Sequence, residues 1–214
     1  MRLEQIKLNM MQMGQNVESA LDQAIKALAT RNADGFKAVH EIEKSTNQFH
    51  IQLDDECMAF LAMHGPVAKD LRLIFSIIKI NADLERMGDQ AVNIAHTGKD
   101  YMGRPEIHLP PEIEEMSRFV QKMVRDSLDS FVREDLPLAH EVLQLDNEVD
   151  VRKNKVFKDL MQSIRQRPEN VEAAMDIILI ARNLERIGDH ATNIAEDVIF
   201  VCTGKDIRHG GQKK

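Results

Sequence analysis

The chain has 214 residues, 43% hydrophobic and 29% charged, so it is long enough to bury a core and too apolar to be disordered. Its formal net charge of −7 disfavours general binding to nucleic acid or to an anionic membrane surface, because an acidic protein releases no counterions from a polyanion. Aromatic residues make up only 4% while Met occurs 12 times, and a core of Leu, Ile, Ala and Met favours helix over sheet.

Six long helices are predicted from the apolar periodicity between the Pro and Gly residues. In chain order, we expect them near residues 2–30, 34–63, 67–98, 111–132, 135–166 and 169–202. A 30-residue helix is about 45 Å long, and rods of this length pack most readily as bundles. The predicted fold class is therefore all-α.

The compartment is predicted from two further features of the sequence. The N-terminus has no apolar signal-peptide core, and no apolar run approaches the roughly 20 residues that span a bilayer. The two cysteines, Cys57 and Cys202, lie far apart without the spacing of a metal site, which is typical of proteins from a reducing compartment. We therefore expect a cytoplasmic protein.

One segment of the third predicted helix recurs 100 residues later in the sixth. The sequence LERMGDQAVNIA at residues 84–95 returns as LERIGDHATNIA at residues 184–195, with nine of the twelve positions identical. A linker containing two glycines and three prolines, residues 98–111, separates the two copies. Because such repetition indicates a duplicated architecture, we predict two tandem, similar three-helix bundles, residues 1–103 and 104–214.

Acidic residues form a stripe on the repeated helix. Glu85 and Asp89 lie four residues apart and therefore on one face, and the second copy repeats them as Glu185 and Asp189. Like charges at this spacing cost a helix about 0.2–0.5 kcal/mol. Carboxylate oxygens from adjacent helices are the ligands that hard cations such as Mg²⁺, Mn²⁺ or iron prefer. The stripe therefore predicts a metal site in each half.

Residues on the preceding helices are candidates to face these stripes. Asp146 and Asp150 are four residues apart in the second half, whereas the corresponding residues of the first half are Glu43 and Asn47, one charge fewer. Glycine in a helix interior costs about 1 kcal/mol relative to alanine. The occurrence of glycine in both motifs, at 88 and 188, therefore indicates close packing or close approach beside the carboxylates.

A solvated helix edge is an equally good interpretation of the acidic stripe when only the spacing is considered. In that interpretation Arg86 and Arg186 pair with nearby acids. In either interpretation the stripe borders a polar face that carries Asp83, Arg86 and Gln90, a position shielded enough to strengthen electrostatics and open enough to admit an ion. Repetition of the motif favours the metal site modestly.

Other chemistry is disfavoured by what the sequence lacks. It contains no Glu-x-x-His signature of di-iron bundles, no Gly-rich phosphate loop, no nucleophile elbow and no zinc-ligand cluster. No general base or nucleophile accompanies the carboxylates, which disfavours a metal-dependent hydrolase. His40, His140 and His190 are expected at the surface or at helix caps. We therefore do not expect an enzyme.

The chain resembles the PhoU family of phosphate-transport-system regulatory proteins over essentially its whole length. The resemblance rests on PVAKDLR at residues 66–72, on the paired Glu-Arg-x-Gly-Asp motifs at 85–89 and 185–189, and on the ending GKDIRH at 204–209. Either Glu-Arg-x-Gly-Asp motif alone is weak, whereas the matched pair is highly specific.

The resemblance implies a fold and a set of metal sites. It implies two similar three-helix bundles in one elongated molecule, with carboxylate pairs that bind single ions or clusters of iron, Mn, Mg or Zn. One implied site consists of Glu85 and Asp89 with Glu43. The other consists of Glu185 and Asp189 with Asp146 and Asp150. Because Asn47 stands where a full acidic pair needs Asp, the first site is the poorer one.

The resemblance also implies a function and partners. It implies a negative regulator of the phosphate-starvation response that connects the ATPase component of a phosphate ABC transporter with a sensor histidine kinase. Contact with the membrane would be peripheral, through these partners, and a homodimer is expected. The alternative is a plain helical scaffold without metal. No basic anion pocket is visible in the sequence, so direct sensing of phosphate is not expected.

Overall fold

The structure, a computed structural model, describes residues 3–104 and 107–208. In these ranges the chain folds into six long α-helices, which confirms the all-α prediction. They are α1 (Leu3–Ala29), α2 (Phe36–His64), α3 (Ala68–Met102), α4 (Pro111–Arg133), α5 (Leu136–Gln166) and α6 (Val171–Thr203), with short 3₁₀ turns at Ala33–Gly35 and Pro168–Asn170.

Most helix ends follow the predicted boundaries closely, and the C-terminal end of α3 is the main difference. Helix α3 continues through Gly98 to Met102. A Cβ atom at Gly98 would lie 2.7 Å from Leu28 Cδ2 and 2.7 Å from Phe36 Cζ. Glycine therefore allows α1 and α2 to approach the last turns of α3, and it does not end the helix as predicted.

The helices pack as two three-helix bundles. Helices α1, α2 and α3 contact one another, as do α4, α5 and α6. The predicted boundary after residue 103 lies between the end of α3 and the start of α4. Equivalent apolar side chains fill both cores: Leu84 and Met87 of α3 and Leu184 and Ile187 of α6 are all fully buried. Burial of large apolar side chains such as these supplies most of the driving force for folding.

The two bundles join chiefly along α3 and α6, with a smaller contact between α1 and α4. The two long helices run antiparallel, since Lys79 of α3 pairs with Asp197 near the end of α6, whereas Asp83 bonds to Asn193 one turn earlier. The face of α3 opposite its own bundle is therefore buried against the second bundle.

No helix within the described ranges combines the length and the apolar character needed to cross a membrane.

Candidate functional site

Four predicted carboxylates of the second half lie along the contact between α5 and α6. Asp146 and Asp150 come from α5, and Glu185 and Asp189 come from α6. A residue that the sequence analysis missed, Lys153, lies between them: its Nζ donates to Asp150 Oδ1 at 2.7 Å and to Glu185 Oε1 at 2.8 Å. One ammonium group therefore links the two helices through their acidic residues.

The four carboxylates of this cluster, which we call the second acidic cluster, share one electrostatic environment. Burial, together with the charges of Glu185, Asp146 and Asp150, raises the pKa of Asp189 from its ordinary value near 3.8 to about 6. Burial also raises the pKa of Asp146, with a contribution from Asp150 and Glu185. The charge of Lys153 thus neutralises only part of the cluster.

The corresponding residues of the first half lie between α2 and α3 and carry less charge. Burial and the nearby charge of Glu43 raise the pKa of Asp89. Asn47 Nδ2 donates to Glu43 Oε1. Glu85 is half-buried and forms no ion pair or hydrogen bond with any residue that the structure describes. These residues, Glu43, Glu85 and Asp89, form the first acidic cluster. It carries less negative charge than the second because Asn47 stands where the second cluster has Asp150.

The two glycines of the motifs differ in how tightly they are packed. A Cβ atom at Gly88 would lie 3.3 Å from Thr46 Cγ2 of α2, which is a close contact. At Gly188 the nearest atoms would be Met123 Cε at 3.6 Å, Met123 Sδ at 3.7 Å and Asp146 Oδ1 at 3.8 Å, which are ordinary distances. Gly88 thus allows α2 to approach α3 closely, whereas Gly188 leaves space beside the Asp146 carboxylate.

The donor set of the second acidic cluster fits a hard cation, since it consists of carboxylates with less than matching positive charge. The arrangement is not a closed coordination shell: among the described residues, no three His, Cys, Asp or Glu side chains already surround a common position. Lys153 supplies positive charge between Asp150 and Glu185. Asp146, Asp150, Glu185 and Asp189 are the residues that would hold a cation, and Lys153 would compete with it for Asp150 and Glu185.

Metal-free protein is expected to lose stability as the pH rises, through Asp189. Between 3.8 and about 6 the folded state retains a proton on Asp189 that the unfolded state has released. The free energy of unfolding therefore falls as pH rises through this window. Asp189→Asn removes this dependence. The free energy of unfolding of the variant should therefore rise relative to that of the wild type as the pH increases from about 4 to about 7. Urea unfolding in chelator measures the difference, and a constant difference would contradict the prediction.

A second group of polar residues, also missed, is buried where α3 packs on α6. His190 is only 8% exposed, and its Nδ1–H donates to Asp83 Oδ1 at 2.8 Å, so the prediction of a surface or capping role for His190 was wrong. His140 is exposed as predicted, and His40 is half-buried against the ring of His96. The predicted solvent-facing polar face of α3 was also wrong for Asp83 and Gln90, which are buried.

The side chain of Asp83 accepts a second bond at the same oxygen, from Asn193 Nδ2 at 3.2 Å. One helical turn away, Lys79 Nζ pairs with Asp197, a carboxylate only 1% exposed. The repeat comparison carried one signal of these contacts, since position 190 is His where position 90 is Gln. Only the packing of the two bundles reveals that this polar face is an interface.

Comparison with known proteins gives one consistent family. The family model described as the PhoU domain matches residues 10–97 and again residues 113–198. The chain is 37% identical to the phosphate-specific transport system accessory protein PhoU homolog of Pseudomonas putida over 213 residues, 99% of this chain and 83% of the relative. It is 33% identical to the phosphate-specific transport system accessory protein PhoU of Escherichia coli K12 over 209 residues, 98% of this chain and 87% of the relative.

Solved structures agree with the fold. The crystal structure of PhoU from Pseudomonas aeruginosa superposes with a TM-score of 0.91 and 37% identity, covering 94% of this chain and 97% of that one. The phosphate transport system regulatory protein PhoU from Streptococcus pneumoniae superposes with a TM-score of 0.89 over 95% and 96% of the two chains. At 24% identity, the latter similarity bears on the fold alone.

Proposed function

The chain belongs to the PhoU family, and from this we propose that it is an accessory and regulatory protein of a phosphate-specific transport system. The observation that carries the proposal is the match of the family domain to both repeats, together with similarity to accessory proteins over nearly the whole chain. The family is one of accessory and regulatory proteins and not of enzymes, in agreement with the expectation from sequence.

The finer parts of the proposal concern partners and direction of control. We place the protein between the ATPase component of a phosphate ABC transporter and a sensor histidine kinase, in the cytoplasm, as a negative regulator of the phosphate-starvation response. Its six-helix body offers long exposed helix faces for such contacts. A homodimer is part of the same proposal.

A bound cation is the proposed means by which the two acidic clusters act. In the second cluster Asp146, Asp150, Glu185 and Asp189 would hold it, and in the first cluster Glu43, Glu85 and Asp89 would do so. The cation would neutralise like charges and link the second helix of each bundle to the third. Support comes from the raised pKa of Asp189, whose neighbouring carboxylates lack matching positive charge.

Metal content tests this part of the proposal directly. Protein purified without chelator or affinity tag is expected to contain metal at a stoichiometric level, measured by mass spectrometry. A variant with amides at the four motif carboxylates should lose that metal while remaining folded by circular dichroism. That variant is Glu85→Gln, Asp89→Asn, Glu185→Gln and Asp189→Asn. A matched control removes four exposed acids elsewhere and should retain the metal: Glu4→Gln, Asp55→Asn, Glu114→Gln and Asp159→Asn.

The outcomes separate the parts of the proposal. Two outcomes would overturn metal binding at these clusters. One is metal that persists in the motif variant, and the other is wild-type protein that contains no metal even after incubation with Mg²⁺, Mn²⁺ or Fe²⁺. The accessory role would still stand on family membership, and a scaffold without metal would be the better description. In that case Lys153 would be the permanent counter-ion of the second acidic cluster.

A further inference from the structure

A cavity of about 280 Å³ opens at the contact between α3 and α6, beside the chain's C-terminal turn. Three cationic residues line it, Lys79 and Arg86 from α3 and Arg208 from the turn after α6, together with Asp83, Asn193 and Ala82. The volume lies just below the range of about 300–1,000 Å³ typical of drug-sized ligands, which suits a small ion with its waters.

Two of the cations pair with carboxylates, Lys79 with Asp197 and Arg208 with Asp206, which also accepts from Arg208 Nη2 at 2.5 Å. Asp197 pairs with Lys79, and Arg208 Nη1 lies 3.9 Å from the same carboxylate. The backbone N–H and Nε of Arg208 both donate to Asp206 Oδ1, at 3.0 and 2.8 Å. The side chains are therefore positioned before any ligand arrives, which lowers the entropic cost of binding.

Arg86 is the cation of this cavity with a free charge. Its side chain is exposed, and it forms no ion pair or hydrogen bond within the described part of the chain. A guanidinium group matches the geometry of an oxyanion and can donate two parallel hydrogen bonds to it. Arg86 is thus the residue that a bound anion would neutralise.

The single carboxylate in the cavity wall restricts which anion would fit. Asp83 uses Oδ1 to accept from both His190 and Asn193, so Oδ2 has no donor among the residues described. A carboxylate oxygen repels a fully deprotonated anion but accepts a hydrogen bond from one that retains a proton. At neutral pH inorganic phosphate retains at least one proton, whereas sulfate retains none, and a phosphate monoester loses its last one with a pKa of about 6.

The repeat provides an internal comparison for these charges. At the positions 100 residues away from Lys79 and Asp83 stand Leu179 and Asn183. Asp197 likewise corresponds to Thr97. The charged residues Lys79, Asp83 and Asp197 of the α3–α6 contact thus have uncharged residues at the equivalent positions of the other repeat. Because a buried ion pair adds little stability over apolar residues of similar size, packing does not account for the charged version.

We propose that the cavity between α3 and α6 binds inorganic phosphate, with Arg86, Lys79 and Arg208 as donors to its oxygens and Asp83 as acceptor of its proton. This goes beyond the accessory role and depends on neither metal binding nor the partners. It also revises the sequence-based expectation that no basic anion pocket exists. The pocket forms only when residues 79, 86 and 208 are brought together by the antiparallel helices and the C-terminal turn.

Isothermal titration calorimetry of the full chain, at about pH 8 and constant ionic strength in chloride, tests the proposal. At this pH the monoester probe has lost its last proton and inorganic phosphate has not. Saturable binding of one phosphate per chain is expected, with sulfate and glycerol 3-phosphate binding at least about tenfold more weakly. No saturable heat with millimolar phosphate, or equal affinity for sulfate or for the ester, would overturn the proposal.

Two variants with a matched control identify the site. Arg86→Gln should weaken phosphate binding at least about tenfold, because one charge-assisted donor is lost from an exposed side chain that holds no other residue. Arg186→Gln, the equivalent exposed arginine of the second repeat, lies outside the cavity and should bind as the wild type does. Equal affinity of the Arg86 variant and the wild type, or equal loss in both variants, would refute the assignment.

Asp83→Asn tests the role of the proton. The amide oxygen would keep the bonds from His190 and Asn193, so an NH₂ group would replace Oδ2. The preference should then change from phosphate to sulfate, because the wall now offers a donor. A variant that still prefers phosphate over sulfate by the wild-type ratio would contradict the assigned role of Asp83.

Discussion

Replacement of Lys79 by Leu is expected to lower the free energy of unfolding at neutral pH by about 3–5 kcal/mol. Its partner Asp197 is 1% exposed, and Asp197 Oδ2 already has no hydrogen-bond donor among the described residues. Without Lys79, the buried carboxylate retains only Arg208, at 3.9 Å. Urea unfolding followed by circular dichroism measures the loss.

The pH dependence of this loss follows from the sign of the Asp197 shift. Burial raises the pKa of Asp197 in the folded state, and Lys79 and Arg208 oppose that rise. A raised carboxyl pKa is a cost that applies above the folded-state pKa and disappears once both states are protonated. The defect of Lys79→Leu should therefore shrink as the pH is lowered.

The repeat supplies the control for this variant. Lys79→Leu combined with Asp197→Thr copies Leu179 and Thr97, the residues at the equivalent positions, and removes both charges together. The double variant should recover most of the lost stability, since apolar replacement of a whole buried ion pair is often close to neutral. If the double variant is as unstable as the single one, the loss comes from packing of the lysine stem and not from an unpaired charge.

Replacement of Lys153 by Met is expected to make stability depend strongly on metal. The substitution removes the ammonium group that joins Asp150 to Glu185. When a chelator also keeps metal away, nothing offsets the charge of the second acidic cluster at this point, and the free energy of unfolding should fall. With metal present, the cation no longer competes with two charge-assisted hydrogen bonds, so it should bind at least about tenfold more tightly than to the wild type. At 100 times its Kd, a ligand stabilises a protein by about 2.7 kcal/mol.

Thermal unfolding with and without Mn²⁺ or Mg²⁺ gives the measurement for this prediction. The matched control is Lys158→Met on the same helix, because Lys158 is exposed and forms no ion pair with the described residues. That control should respond to metal as the wild type does. Equal metal responses of Lys153→Met and the wild type would show that Lys153 does not occupy the position of a cation.

The fold was predictable because it depends on signals that are local in sequence. Apolar periodicity between breakers gave the six helices and their order, and the recurrence of one motif after 100 residues gave the two bundles. The error at Gly98 has a physical cause: glycine ends a helix in one context and admits a neighbouring helix in another, and only the contacts with Leu28 and Phe36 distinguish the two.

The candidate site was predictable only in part. The spacing of Glu185 and Asp189 placed them on one face, and Asp146 and Asp150 do lie beside them. Lys153 could be recognised as a local partner of Asp150, three residues away, but its bond to Glu185 depends on how α5 and α6 align. Whether either cluster holds metal stays a prediction.

The buried charges between α3 and α6 were missed for a different reason. A helix face rich in polar residues has the same periodicity whether it faces water or a second polar helix. Nothing local to His190 or Asp83 distinguishes these cases, since they meet across 107 positions of chain. The cavity has the same origin, because its cations come from α3 and from the turn after α6, more than 120 residues further along the chain.

The antiparallel contact of α3 with α6 has a consequence for how such a molecule can change over evolutionary time. If two identical three-helix units met through this helix, every mutation would occur on both sides of the contact at once. A lysine at one position would then appear twice, and each copy would need its own buried acid. In a single chain with two copies, positions 79 and 179 vary independently, as do 97 and 197. Fusion of the copies thus allows one half of a symmetric contact to acquire charge while the equivalent positions of the other half remain uncharged.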